Sequence, residues 1–419
     1  MVPFQSHPGI SCGLNPTRAT TYTHTLMAEK RFAVVGAGFS GAVVVRELAL
    51  HTRRRIVVFD ERPHLAGNCH TERDAASGVM VHRYGPHTFH TNRRDVWDYV
   101  NAFVPFHPFC NRIKAQTARG VFSLPLNLLT INQFFGKSFN PAEARAFVAA
   151  LGDATIGEPC NFEEQALKFV GRELYEAFFY GYTKKQWGCE PAELAASVLQ
   201  RLPLRFDYND DYYNSAWQGI PEGGYTEVVR RILDLPAIET RLGEKFDPAA
   251  TAEFEHVFFT GPIDASFNFQ HGRLAYRTVT FERLEAAGDY QGNPIINYTE
   301  LRVPHTRIHE HKHFMPWEKH DRTVAFVEFS QATGPADIPY YPVRRAPDKT
   351  LLQKYYAEAA PLESVSFLGR LATYRYLDMD CVIAEALDFA KVFLERFHDQ
   401  ARPLPRFTPA LEAQIRNPA

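Results

Sequence analysis

The chain has 419 residues, 45% of them hydrophobic and 22% charged, enough apolar surface for two or three packed modules and unlike disordered, collagen-like or coiled-coil compositions. A formal net charge of −2 leaves no global field for nucleic acid or an anionic membrane, so an anionic ligand has to be met by locally placed arginines. The six cysteines (Cys12, Cys69, Cys110, Cys160, Cys189 and Cys381) contain no CxxC pair and read as reduced thiols of a cytoplasmic protein.

Residues 1–30 lack the basic start and apolar run of a signal peptide and read as a disordered extension. No window in the sequence is long enough for a membrane span, so no stable membrane insertion is expected. From residue 31 the order is strand, glycine turn, helix, strand: RFAVV, GAGFSG, AVVVRELALH and RRIVVFD form a βαβ unit. In the turn Gly36 permits the tight bend, Gly38 lets backbone approach a pyrophosphate and Gly41 allows close helix packing. Phe39 and Ser40 open the helix, whose N-terminus supplies the positive end of a dipole. Asp60 closes the second strand, placed to accept ribose hydroxyls, which fits NAD and FAD equally.

From about 96 to 232 the apolar spacing turns helical, in WDYVNAFV, PAEARAFVAAL, EEQALKFVGRELYEAFFYGYT, PAELAASVLQRL and YTEVVRRIL. Between about 255 and 345, β-rich runs such as HVFFTG, YRTVTFERL, PIINYTEL, RIHEHKHF and TVAFVEF predict a second sheet. The C-terminal run SVSFLGRLATYRYLDMDCVIAEALDFAKVFLERF reads as strand, loop and helix and can rejoin the first sheet. One motif misleads: HEHKH, residues 309–313, satisfies HExxH, but Pro304 and Pro316 fence it and the alternation favours a strand carrying His309, His311 and His313 on one face. No metal site is expected there.

Ten blocks in fixed order carry a resemblance that runs from about Arg31 to Phe397. They are HRYGPHTFHTN (82–92), FSLPLNL (122–128), FFYGYTKKQWG (178–188), RLPLRFDYNDDYY (201–213), QGIPEGGYT (218–226), TGPID (260–264), YQGNPIINYTE (290–300), EHKHF (310–314), YYPV (340–343) and GRLATYRYLDM (369–379). Together they resemble the UDP-galactopyranose mutase family. The resemblance implies FAD, active when reduced, and interconversion of UDP-galactopyranose and UDP-galactofuranose without net redox change. It also implies that N5 of the reduced flavin is the nucleophile at the galactose anomeric carbon, and that the product feeds galactofuranose glycans.

The fold class implied is α/β: a Rossmann-type FAD-binding domain with an inserted helical domain and a second antiparallel sheet domain. Its boundaries fall at 31–95 for the first part of the FAD domain and 96–235 for a mainly helical domain with a mobile lid near 188–201. Residues 236–345 follow as a β-sheet substrate domain with parts of the FAD domain, 346–400 as the C-terminal FAD part and 401–419 as a tail. A homo-oligomer, dimeric or larger, is implied by the family, with UDP-galactose as the small-molecule partner.

Carried over residue by residue, the resemblance puts Gly67, Asn68, His87, Arg370, Asp378 and Met379 around the FAD, beside the glycine turn. Trp187 becomes a uracil platform, with Phe178, Phe179, Tyr182, Thr183 and Asn111 nearby; aromatics at this spacing also fit an ordinary helix core. Arg201 and Arg307 match the grips on the diphosphate, where a planar guanidinium binds phosphate oxygens bidentately. Tyr212, Tyr341, Tyr376 and Arg370 match phosphate and sugar contacts, and Asn297 a galactose contact. Arg201, Arg307 and His87 are the residues expected to serve the chemistry. Two positions depart from the family pattern, Ala66 where two glycines are usual and Asp60 where Glu is common. An amine oxidase-like FAD oxidoreductase on the same fold is the alternative, and a non-catalytic nucleotide-sugar binder a further one; an amine oxidase has no need of a diphosphate clamp.

Overall fold

The run RFAVV buries its middle residues completely and forms the central strand, Arg31–Val35, of a five-stranded sheet in the computed structural model. The structure describes residues 31–196, 204–400 and 402–416. The sheet order is Ile238–Leu242, Arg55–Asp60, Arg31–Val35, His256–Phe259 and Val365–Phe367, every pair parallel. Alternation splits its side chains between two cores, as expected of a parallel sheet covered on both faces. Phe32, Val34, Ile56, Val58 and Phe258 meet the helices Phe39–His51 and Met379–Asp399, while Ala33, Val57 and Val257 meet Phe246 and Phe254. Phe32 packs edge-on against Phe258 at 5.8 Å and Phe393 at 6.0 Å between ring centroids.

A second sheet of seven strands runs in the order Tyr341–Pro342, Tyr276–Ala287, Arg322–Ala332, Arg307–Glu310, Ile295–Tyr298, Ile113–Thr117 and Gly120–Leu124. It is antiparallel except where Ile295–Tyr298 runs parallel to Ile113–Thr117. Segment 96–235, read from sequence as mainly helical, therefore also supplies two strands of this sheet. It gives two more, Phe106–Pro108 and Trp217–Pro221, to a three-stranded sheet with Phe89–Thr91.

Three of its helices begin on side-chain caps, which satisfy amides with no partner inside the helix. Asn127 accepts from the Thr130 amide, Asn140 forms a capping box with Glu143 ahead of Pro141, and Asn161 accepts from the Glu164 amide. Helix Phe162–Leu174 breaks at Gly171, at φ +77°, where a Cβ would lie 2.4 Å from the Leu151 carbonyl oxygen. A π turn, Tyr175–Tyr180, then leads into the short helix Gly181–Trp187.

The strand expected through HEHKH ends at Glu310, and His311–Phe314 form a 3₁₀ turn. The three histidines therefore do not share a strand face: His309 and His311 are buried, whereas His313 turns toward Asp289 and Glu310. The alternation failed because Glu310 turns inward to accept the amides of Tyr290, Gln291 and Gly292, which ends the strand. Among the described residues no helix is long and apolar enough to cross a membrane, and Cys69, Cys110, Cys160, Cys189 and Cys381 are free thiols.

Candidate functional site

The glycine turn stands at the C-terminal edge of the parallel sheet, where open α/β sheets bind ligands. Gly36 adopts φ +109°, and a Cβ there would lie 2.1 Å from the Thr260 hydroxyl oxygen. At Gly41 a Cβ would lie 2.1 Å from the Gly36 carbonyl oxygen, so helix and turn touch only because Gly41 lacks a side chain. Gly38 is different: a Cβ there would meet no protein atom within 4 Å, which leaves an open cradle in front of the helix. No side chain caps helix Phe39–His51 and its first turn carries no acid. The buried Ser40 hydroxyl has no hydrogen-bond partner in the protein and faces the turn at Gly369.

Asp60 is buried, its carboxylate accepting the Ala37 amide at 2.9 Å and the Arg62 amide at 3.0 Å. Gly67 lies against Gly38, and Asn68 accepts from the Arg62 guanidinium at 2.9 Å while donating to the Pro339 carbonyl. Ala66 takes the left-handed φ of +71° that the sequence departure left to be explained. An uncapped helix start, an unpartnered hydroxyl, an open glycine and a ribose-side carboxylate together fit the pyrophosphate and ribose of an adenine dinucleotide.

Across from this turn, the loop 82–87 is held by two amides and two imidazoles. The His87 amide donates to His82 Nδ1 at 3.2 Å, and the His82 amide donates to His311 Nδ1 at 3.3 Å. Both acceptor nitrogens are thus unprotonated, and each ring carries its proton on Nε2. His87 Nδ1 lies 2.9 Å from the Gly85 carbonyl, which can only accept, so the lone pair of the neutral ring is on Nε2. Burial, then the charges of Arg370 and Arg307, push the His87 pKa down to about 4, against the opposing pull of the Gly85 carbonyl. Tyr225 donates to the His87 carbonyl at 3.1 Å.

Arg307 stands on the strand beside Asn297 and opposite Glu328 in register. Its Nε donates to Glu328 at 2.8 Å, and its Nη2 lies 3.5 Å from the Tyr341 hydroxyl. Glu328 is fully buried, also accepts from the Thr306 hydroxyl at 3.1 Å, and comes within 3.4 Å of His309. The guanidinium pKa rises although burial opposes it, because the Glu328 carboxylate and the Tyr182 and Tyr341 phenols surround it. Tyr341 stacks on Tyr376 at 5.7 Å, and the Arg370 guanidinium lies 4.8 Å over the Tyr376 ring. Burial pushes the phenols of Tyr182 and Tyr341 up; both feel Arg307, Glu328 and Tyr376, and Tyr182 also feels Tyr212. Asn111 and Asn297 are buried, each with a carboxamide oxygen that finds no partner in the protein.

The structure therefore brings together His87, Tyr182, Tyr212, Asn297, Arg307, Tyr341, Arg370 and Tyr376. Thr183 is buried and Trp187 half-buried on the same short helix. Phe178 and Phe179 belong to the core, Phe178 edge-on to Phe122 at 5.5 Å. Arg370 donates to the Leu377 carbonyl at 2.9 Å, Asp378 is the N-cap residue of helix Met379–Asp399, and Met379 packs on the core. Arg201, and with it residues 197–201 of the expected lid, lies outside the described residues.

Sequence reasoning missed the roles of Glu328 and His82, and placed His311 on a strand face instead of against the His82 amide. The signal for Glu328 was a lone acid on one face of VAFVEF, the face it shares with the buried Val324 and Phe326. Among the described residues, Asp289, Glu310 and His313 are close enough for a metal, but the Lys312 ammonium sits 2.7 Å from Asp289 and His313 is 3.1 Å from it.

Residues 34–103 match the model of an NAD(P)-binding Rossmann-like domain, and residues 177–376 the model of UDP-galactopyranose mutase. The chain is 50% identical over 382 residues to a probable UDP-galactopyranose mutase of Klebsiella pneumoniae, covering 91% of this chain and 99% of that one. It is 47% identical over 369 residues to dTDP-fucopyranose mutase of Escherichia coli, covering 86% and 98%. Among solved structures, reduced UDP-galactopyranose mutase superposes with a TM-score of 0.68 at 14% identity, over 93% of this chain and 96% of that one. Putrescine oxidase bound to putrescine superposes at 0.53 and 9% identity, over 88% and 99%, a likeness of fold alone. By its sequence over nine-tenths of its length, the chain belongs to the UDP-galactopyranose mutase family.

Proposed function

We propose that the chain interconverts UDP-galactopyranose and UDP-galactofuranose, with no net redox change, on a bound FAD that must be reduced. The observation that carries the reading is one wall of the site: Arg307, held by the buried Glu328 and flanked by Tyr182, Tyr341 and Tyr376, faces the same space as the loop bearing His87. A cation fixed in that way suits a diphosphate, and an amine substrate has no use for it.

When bound, the reduced flavin supplies the nucleophile for the anomeric carbon. The chain's own residues bind and orient. Gly36, Gly38, Gly41, Ser40 and Asp60 hold the pyrophosphate and ribose of FAD, with Gly67, Asn68, Arg370, Asp378 and Met379 farther along it. His87, neutral and with the lone pair on Nε2, accepts a hydrogen bond at the flavin side of the site. Arg307 and Arg201 stabilise the charge that develops on the departing diphosphate. Trp187 gives the nucleobase a face, and the free oxygens of Asn111 and Asn297 accept from the substrate.

In this reading segment 188–201 closes over the substrate, residues 236–345 form the substrate sheet, and the chain works as a homo-oligomer in the cytoplasm, feeding galactofuranose glycans. A second reading has specific support: the 47% identical relative is named for a dTDP-sugar, so dTDP-fucopyranose is the competing substrate.

The test is to purify the protein, record its flavin spectrum, incubate it under dithionite with UDP-galactofuranose or with dTDP-fucopyranose, and separate the products. Formation of UDP-galactopyranose from the first supports the proposal. Turnover of only the second transfers it to the dTDP-sugar, and inertness with both while the flavin is bound and reduced overturns it.

A further inference from the structure

Helix Gly181–Trp187 bears Tyr182, Thr183 and Trp187, whereas Asn297 and Arg307 sit on neighbouring strands joined by the loop 299–306. These two units belong to different parts of the chain, and a nucleotide sugar has to touch both. What fixes the distance between them is a question the site residues do not answer.

The answer lies in the lysine two residues before Trp187. The Lys185 ammonium donates to four backbone carbonyls of that one hairpin: Tyr298 at 2.7 Å, Glu300 at 3.0 Å, Val303 at 2.9 Å and His305 at 2.8 Å. An ammonium has three protons, so four acceptors mean a shared bond and a closed shell of carbonyl dipoles, the kind of cage that replaces the water around a cation. The side chain of Glu300 is turned to Arg302 at 2.9 Å, which leaves the dipoles as the main partners of the charge.

One turn earlier on the same face, Gly181 touches the same hairpin: a Cβ there would lie 2.1 Å from the Thr299 carbonyl oxygen. From the sheet below, Arg277 donates to the carbonyls of Gln186 at 3.0 Å and Lys185 at 3.3 Å, and Ser330 donates to Gln186 at 2.7 Å. Gly188, at φ +67°, ends the helix where a Cβ would lie 2.2 Å from the Arg277 guanidinium. The buried Arg277 and the half-buried Lys185 thus hold one short helix, which at seven residues is too short to be stable by itself.

We propose that Lys185 is a positioning residue: its ammonium plugs a four-carbonyl cage in the hairpin between Asn297 and Arg307, and so sets the span between the nucleobase platform and the diphosphate cation. Lys185 touches no substrate in this scheme. The inference rests on the site reading above, in that the helix bears the nucleobase platform and the hairpin the phosphate grip.

The experiment compares wild-type holoprotein with Lys185→Met and Lys185→Ala. UDP and dTDP affinity are measured by calorimetry, flavin content by absorbance, and amide hydrogen exchange over 181–188 and 299–306 without nucleotide. Both variants are expected to keep their flavin, to lose at least tenfold in affinity for whichever nucleotide the wild type binds, and to exchange faster in both segments together. Millimolar n-propylammonium, which rebuilds the missing stem and charge, should restore affinity and slow exchange in Lys185→Ala but not in Lys185→Met, where methionine fills the channel. Tetramethylammonium at equal ionic strength should do neither.

Affinity within twofold of wild type in Lys185→Met overturns the proposal, as does an alanine variant indifferent to n-propylammonium. A chain that folds in neither variant, even with n-propylammonium, makes Lys185 part of general scaffold stability and overturns it too. If the wild type binds neither nucleotide, the site reading fails, and the exchange data still decide whether the ammonium locks helix to hairpin.

Discussion

Lowering the pH from 7 to 5 should destabilise this protein, chiefly through its buried histidines. Burial, with the charge of Arg406 adding to it, holds the His256 pKa down to about 3. The same burial, with Arg283, does so for His311, also to about 3, and burial with Arg370 and Arg307 brings His87 to about 4. In the unfolded chain each returns to about 6.5, so between pH 6.5 and 4 the unfolded state binds more protons and stability falls as pH falls. For one such group the loss between pH 7 and pH 5 is about 2 kcal/mol, so these three account for about 6 kcal/mol. His82 and His309, lowered in the same direction by burial, add to it.

That sum is comparable with the total stability of a typical domain, about 5–15 kcal/mol. The depressed carboxylates, Glu227 and Glu310 at about 2, contribute only below about pH 4.5. The assay is chemical denaturation of the holoprotein at half-unit pH steps, with His256→Gln as a control remote from the candidate site. Gln keeps a partner for the Ser366 hydroxyl, 2.7 Å from His256 Nε2, and should remove about 2 kcal/mol of the pH-dependent part. A denaturation midpoint that is flat between pH 7 and 5 would refute the reasoning, since it would require these rings to be solvated or paired with acids.

Arg307→Ala should cut turnover at least a hundredfold and also destabilise the fold, because it strands Glu328 as an unpaired buried charge at about 3–5 kcal/mol. Adding Glu328→Gln to that variant should recover most of the melting temperature and none of the turnover, which separates the two effects. Arg201→Ala should reduce turnover severely while leaving the flavin spectrum and melting temperature unchanged; loss of flavin would move Arg201 into the cofactor site. Gly38→Val should fold yet retain no FAD, since its side chain enters open space, whereas Gly41→Ala should lower the melting temperature because its methyl meets the Gly36 carbonyl. A yellow Gly38→Val protein would contradict the placement of the pyrophosphate.

The glycine turn was legible because everything it needs is local: a buried strand, three glycines and an acid within 30 residues of one another. Glu328 was not, since an acid on a strand has meaning only through the residue across the ladder, and Arg307 lies 21 positions away. Lys184 and Lys185 look alike in the sequence as exposed charges on a helix. Only the helical phase set by Gly181 sends one outward to the Glu190 carboxylate and the other into the carbonyl cage. His311 was misplaced for a related reason, because alternation in RIHEHKHF continues on paper beyond the point where Glu310 turns in to hold Tyr290 and Gln291. The tyrosines could be assigned to a site through resemblance, yet the stack of Tyr341 on Tyr376 joins segments that share no local pattern.

The parallel sheet draws its strands from 31–60, 238–259 and 365–367, with the second sheet threaded between them. Contacts so distant in sequence close late, because the loop entropy is spent before the pairing rewards it. While the chain is being synthesised, the edge strand Val365–Phe367 and the helix Met379–Asp399 join the parallel sheet only after the whole second sheet exists. If Arg370, Asp378 and Met379 contact FAD as proposed, a growing chain retains the dinucleotide only near the end of translation, and FAD uptake then reports completed assembly.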